Sequence, residues 1–166
     1  MAEDKRGNGQ PAAANPAAEG SQQLIVNAQY VKDLSFENPR APQSLMQPGG
    51  PPEVEIAVDV KARNLGPETF EVLLTINASA KAKGEPVFIV ELAYGAVVSV
   101  KGVGEASLAG LVLVETPRVL FPFARAIIAD ATRDGGFPPL LINPIDFAEL
   151  MRRNQAATAA GGGPVV

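Results

Sequence analysis

Two carboxylates, Asp33 and Glu37 in VKDLSFE, are the acidic pair whose spacing most invites a chemical role. A strand returns its side chains to one face every second residue and rises ~3.3 Å per residue, so the two share a face about 13 Å apart. Glycosidases hold their acid and base within roughly 5–9.5 Å, so this pair is too wide for that chemistry. Nothing else completes a catalytic set. The chain has no histidine and no cysteine, which excludes a Ser-His-Asp triad, a thiolate nucleophile and the usual zinc ligands. It has no phosphate-binding loop and no nucleophile elbow, and GVGEAS at 102–107 lacks the third glycine of a dinucleotide fingerprint. These features predict a protein that is not an enzyme and takes no cofactor and no metal. What remains is an acidic surface. Glu91, near Ile89, takes an outward position on a later strand, and Glu53, Glu55, Asp59 and Glu71 fall on polar faces. Such a surface is either an ordinary solvated face or a place for a basic partner.

Composition narrows the partners. The 166 residues carry a net charge of −4, and the 14 basic residues form no block, so nucleic acid is not expected. The opening MAEDKRGNGQ lacks the apolar stretch of a secretory signal. The longest apolar run, LAGLVLV at 108–114, is far below the ~20 residues of a membrane helix. The expectation is a cytoplasmic protein without direct membrane insertion. Residues 1–21, rich in Ala, Pro and Gly, and residues 154–166 hold too little apolar surface to offset chain entropy. They are expected to be disordered tails on a domain at 22–153.

The elements that must position the acids follow from periodicity. Along 22–37, Leu24, Val26, Ala28, Tyr30, Leu34 and Phe36 alternate with Asn27, Gln29, Asp33, Ser35 and Glu37, the pattern of a half-buried strand. Further strands are expected at 53–63, 68–81 and 86–103, joined by the Gly-centred turns NLGPET and KAKGEP. A helix is predicted over 117–134, starting at Thr116-Pro117 and stopped by Gly135-Gly136. Pro122 conflicts with its interior and implies a kink or a second start. NPIDFAELMRRN reads as a shorter last helix, with Asn143 as its cap. All strands precede the long helices. The fold class is therefore α+β: a four-stranded antiparallel sheet, a meander with a crossover loop, then a long helix and a shorter C-terminal helix packed on one face.

Three blocks carry a resemblance: YVKDLSFENPRAP at 30–42, FIVELAYGAVVSVKGV at 88–103 and LFPFARAIIADATRDGGFPPLLINPIDFAELMRR at 120–153. Together and in this order they resemble the SecB family of bacterial protein-export chaperones. The resemblance implies a homotetramer, a dimer of dimers, with the long helices sandwiched between two sheets and Leu120, Phe123, Ala124, Ile127, Ile128 and Ala131 at the interface. It also implies that Asp33, Glu37, Ile89 and Glu91 dock the export motor SecA through a basic, zinc-bound tail of that partner. The clients are unfolded preproteins. Candidate groove residues are Leu45 and Met46 in the crossover loop, Phe137, Leu140 and Leu141 after the long helix, and Phe147, Leu150 and Met151 on the last helix. Each of these also suits core packing. The implied function is to keep precursors translocation-competent and deliver them to SecA. A chaperone of the same fold with another client, such as an antitoxin, is the alternative.

Overall fold

A computed structural model describes residues 23–46 and 49–160. The expected tails at 1–21 and 161–166 lie outside the described residues. Strands β1 (Gln23–Glu37), β2 (Glu53–Gly66), β3 (Thr69–Ala82) and β4 (Glu85–Lys101) form one sheet in the order β1-β4-β3-β2, with every pair antiparallel. The sheet is a three-strand meander whose far edge is β1. A Pro- and Gly-rich crossover containing the short helix α1 (Gln43–Met46) carries the chain from one edge to the other. The β3–β4 hairpin turns at Lys83 and Gly84, both at positive φ (53° and 80°). That is the tight turn whose twist suits a hairpin, and glycine makes it inexpensive.

One face of the central strands is the core. Val72, Leu74 and Ile76 of β3 and Val90, Leu92, Ala96 and Val98 of β4 are all buried. The helical layer lies on this face, and its start differs from expectation. It begins at Glu105 with α2 (Glu105–Gly110), passes through a π-helical turn at Leu111–Glu115, and continues as α3 (Thr116–Asp134). The wide turn lies just ahead of Pro117, which has no N–H to donate to the preceding turn. The Thr116 hydroxyl donates to the Leu111 carbonyl at 2.9 Å. Pro122 lies inside α3 without ending it. It and Arg118, whose carbonyl loses its partner, are both exposed, so water can serve that carbonyl.

The last helix, α4 (Phe147–Ala160), is capped by Asp146 rather than Asn143. Its carboxylate accepts from the Glu149 N–H at 3.0 Å, which holds its pKa below the ordinary value. The helix also runs past 153 to Ala160, so residues 154–160 are helical and not part of a tail.

β1 departs from simple alternation. Its pairing with β4 shifts between Val26 and Ala28 and again between Val31 and Asp33. The first bulge turns Ala28 and Tyr30 to the outer face, opposite Val97 and Gly95, where strict alternation put them inward. The second restores the pattern, so Asp33, Ser35 and Glu37 point outward as expected.

Tyr30 then takes part in a cluster that sequence periodicity did not reveal. Its hydroxyl donates to Glu71 of β3 at 2.5 Å. Lys32 reaches the same carboxylate at 3.0 Å and Arg63 of β2 at 2.8 Å. The hydrogen bond from Tyr30, followed by that from Lys32, lowers the Glu71 pKa from 4.5 to about 2 against the opposing effect of burial. Burial, then Glu71, raises Tyr30 from 10.0 to about 12.

The sign of the pH dependence follows. A depressed carboxylate contributes stability that is present above pH 4.5 and is lost as pH falls toward about 2. The raised tyrosine makes stability fall as pH rises from 10 to about 12. Glu71→Gln is expected to cost about 1.5–3 kcal/mol at neutral pH, the range for bonds to a charged group. It should also flatten the acid limb. Urea midpoints of both proteins between pH 5 and 2 check this, and parallel acid limbs would refute it.

Candidate functional site

The outer face of the sheet places the expected docking residues together. Three successive rungs cross the four strands. Glu37 pairs with Ile89, Ile89 with Ser79, and Ser79 with Glu55. Next come Ser35, Glu91, Asn77 and Ala57, then Asp33, Ala93, Thr75 and Asp59. Asp33, Glu37 and Glu91 are exposed, and Ile89 is half-buried among them. None of the three carboxylates has an ion pair among the described residues. A shallow trough of about 250 Å³ runs beside them, lined by Glu55, Asn77, Ser79, Ile89 and Glu91 among others. The arrangement is an acidic border around one apolar side chain. It can attract a basic segment and seat one apolar group. No group of His, Cys, Asp and Glu among the described residues could hold a metal ion.

A second surface opens at one end of the molecule. A groove of about 790 Å³ runs between the crossover, the β3–β4 hairpin and the segment after α3, with Val54, Phe88, Phe137 and Leu140 in its lining. Arg40 and Glu85, also in its lining, form an ion pair at 3.2 Å. Three of the chain's seven phenylalanines meet here. Phe88 stands 6.0 Å from Phe36 and 5.1 Å from Phe137, ring centre to ring centre. Phe88 is only 3% exposed, so the cluster is packed beneath the groove and gives it an apolar base.

The floor of this region depends on two glycines. A Cβ on Gly135 would lie 2.2 Å from the Phe36 ring, and Gly136 has φ +92° with Leu45 packed against it. The Asn38 amide donates to the Gly135 carbonyl at 3.2 Å. Thr132, fully buried, donates its hydroxyl to helix carbonyls and accepts from the Leu140 N–H at 2.9 Å. This ties the groove wall to α3.

The expected groove residues divide. Phe137 and Leu140 line the groove, and Leu45, Met46 and Leu141 are exposed near it at 44%, 76% and 62%. Phe147 and Leu150 are instead core residues, buried to 1% and 9%. Leu150 and Met151 face a separate hollow of about 430 Å³ between α4, Val60 and Leu113. Phe36 and Phe88 were not singled out from the sequence. Their strand periodicity reads as core; Phe88 also reaches the groove lining beside Phe137, and Phe36 packs behind them.

The six residues expected at a subunit interface divide as well. Leu120, Ala124 and Ile128 are fully buried against the chain's own sheet. Phe123 is 50% exposed and Val119 43%, with the Phe123 ring stacked 6.5 Å from Tyr94. Ile127 and Ala131 are half-buried. Val31 and Leu34 of β1 are also exposed, at 46% and 43%. α3 therefore leaves an apolar flank, Val119 and Phe123, that its own sheet covers only in part.

Comparison with known proteins shows the family. The family model described as preprotein translocase subunit SecB matches residues 17–158. The protein-export protein SecB of Bradyrhizobium diazoefficiens is 51% identical over 157 residues, 95% of each chain. That of Maricaulis maris is 51% identical over 147 residues, covering 89% of this chain and 86% of the relative. Among solved structures, a SecB-like chaperone from Mycobacterium tuberculosis, in complex with a ChAD peptide from an antitoxin, superposes with a TM-score of 0.61. That likeness covers 74% of this chain and 90% of the other at 15% identity, which shows a shared fold. No helix among the described residues is long and apolar enough to cross a membrane. With the family model and two relatives in agreement over nearly its whole length, the chain belongs to the SecB family of protein-export chaperones, which are not enzymes.

Proposed function

We propose that this protein binds unfolded precursor proteins in the cytoplasm, keeps them competent for translocation and delivers them to the SecA motor. The observation that carries this reading is the separation of two surfaces. Unpaired carboxylates stand on the outer face of the sheet, and the aromatic groove opens on the side of the helical layer. A client in the groove leaves the acidic face free for a basic partner. In this reading Asp33, Glu37, Ile89 and Glu91 meet SecA, while Phe137, Leu140, Leu45 and Met46 meet the client. The half-exposed flank of α3 supports assembly into a homotetramer, a dimer of dimers. A second reading, a dedicated client such as an antitoxin, has the Mycobacterium tuberculosis complex in its favour. The export relatives are far closer in sequence, and we favour export.

Three measurements test this. Asp33→Asn, Glu37→Gln and Glu91→Gln are each expected to weaken SecA binding by about 1 kcal/mol, between a rim charge and a charge-assisted bond. The effect should shrink with salt, because exposed charges are screened within ~8 Å at physiological ionic strength. Calorimetric titration at low and high salt checks it, and unchanged affinity in all three removes the acidic face from the mechanism.

Phe123→Asp should break the tetramer while leaving the protomer folded, because the ring is half exposed. Ile128→Asp should unfold the protomer itself, since it buries an unpaired carboxylate. Sedimentation velocity with circular dichroism separates these outcomes; a stable tetramer of Phe123→Asp would refute the interface.

Thr132→Val leaves the Leu140 N–H unpaired and is expected to cost about 1–3 kcal/mol. It should also reduce the protein's ability to delay refolding of a precursor. Equal delay by wild type and variant would separate the 137–141 wall from client binding.

A further inference from the structure

We propose that the clasp of Tyr30, Lys32 and Arg63 on Glu71, laid across Gly95, is a positioning device that holds β1 in the register turning Asp33 and Glu37 outward. The inference rests on the reading that this face docks SecA.

β1 is an edge strand with one neighbour, and its pairing is broken twice. A one-residue slip in such a strand sends every side chain to the opposite face. Burial of apolar residues normally forbids this. Here the inner-facing Val31 and Leu34 are 46% and 43% exposed, so the protomer core gives the middle of β1 little preference. The clasp supplies one. Tyr30 lies just before the second register shift and Lys32 is the extra residue within it, and both bond the same Glu71 carboxylate, at 2.5 and 3.0 Å. Arg63 holds that carboxylate from β2 at 2.8 Å. One side chain of β3 thereby links both edges of the sheet.

Gly95 makes the link possible. It pairs with Tyr30 in register, and a Cβ there would stand 2.7 Å from the tyrosine Cζ. Any larger residue would lift the ring off β4 and pull the hydroxyl from Glu71. Glycine weakens a strand interior, and its presence in a central strand marks such a close approach. The clasp also engages Lys32, the cation next to Asp33 in sequence, so that it does not neutralise the docking carboxylate.

The test uses the full chain. In Tyr30→Phe and Glu71→Gln, amide hydrogen exchange over residues 31–37 is expected to quicken about tenfold, with β3 unchanged. SecA affinity should fall about three- to tenfold while client binding stays within about twofold. Gly95→Ala should lower thermal stability. Adding Tyr30→Ala to it removes the clash and should recover the part of the stability lost to that clash, but none of the SecA affinity, a split that a merely structural role would not produce. Unchanged exchange over 31–37 overturns the inference, as does full recovery of SecA affinity in the double variant. If Asp33→Asn and Glu37→Gln leave SecA binding intact while exchange quickens as expected, the docking reading falls and the register role stands.

Discussion

Side chains leave a strand alternately to one face and the other, so the pairing of β1 with β4 decides what each face of this sheet presents. With Asp33 opposite Ala93 and Glu37 opposite Ile89, acids face outward and Leu34 and Phe36 face the helices. A shift of one residue would exchange them, exposing an aromatic ring and burying carboxylates. Both the acidic border and the Phe36–Phe88–Phe137 cluster depend on this one register. It belongs to an edge strand with two bulges, where register is least protected.

The electrostatics of the outer face follow from where its cations go. Lys32 and Arg63 are both drawn to Glu71. That carboxylate is a half-buried hub, while Asp33, Glu37 and Glu91 stay exposed. Two neighbouring groups of acids thus take different roles through their surroundings alone. One ties strands together. The other remains available to a partner and sensitive to salt.

The helical layer shows the complementary constraint. α3 covers β3 and β4 with Leu120, Ala124 and Ile128, yet its flank with Val119 and Phe123 stays about half exposed. An apolar flank left half exposed is stabilised when a second surface covers it. The chain supplies the first surface, and we propose that another copy supplies the second.

The sequence by itself determined what local periodicity can carry. The alternation of 53–63, 68–81 and 86–103 marked strands and their faces. Lys83-Gly84 marked the hairpin, and the 117–134 pattern marked the long helix. The outward direction of Asp33, Glu37 and Glu91 was legible for the same reason, as was the family resemblance in the blocks that hold them. Tertiary structure alone decided the rest. A bulge has no signature in alternation, so periodicity places Tyr30 inward, whereas its pairing with Gly95 turns it outward. The Glu71 cluster joins residues 41 apart in sequence, and Gly135 makes room for a ring on another strand. A helical wheel distinguishes apolar from polar but not how far the sheet covers an apolar stripe, so it does not separate Ile128, fully buried, from Phe123, half exposed. Each was decided by contacts between segments distant along the chain, where closing the loop and packing the partner determine the outcome and local pattern does not.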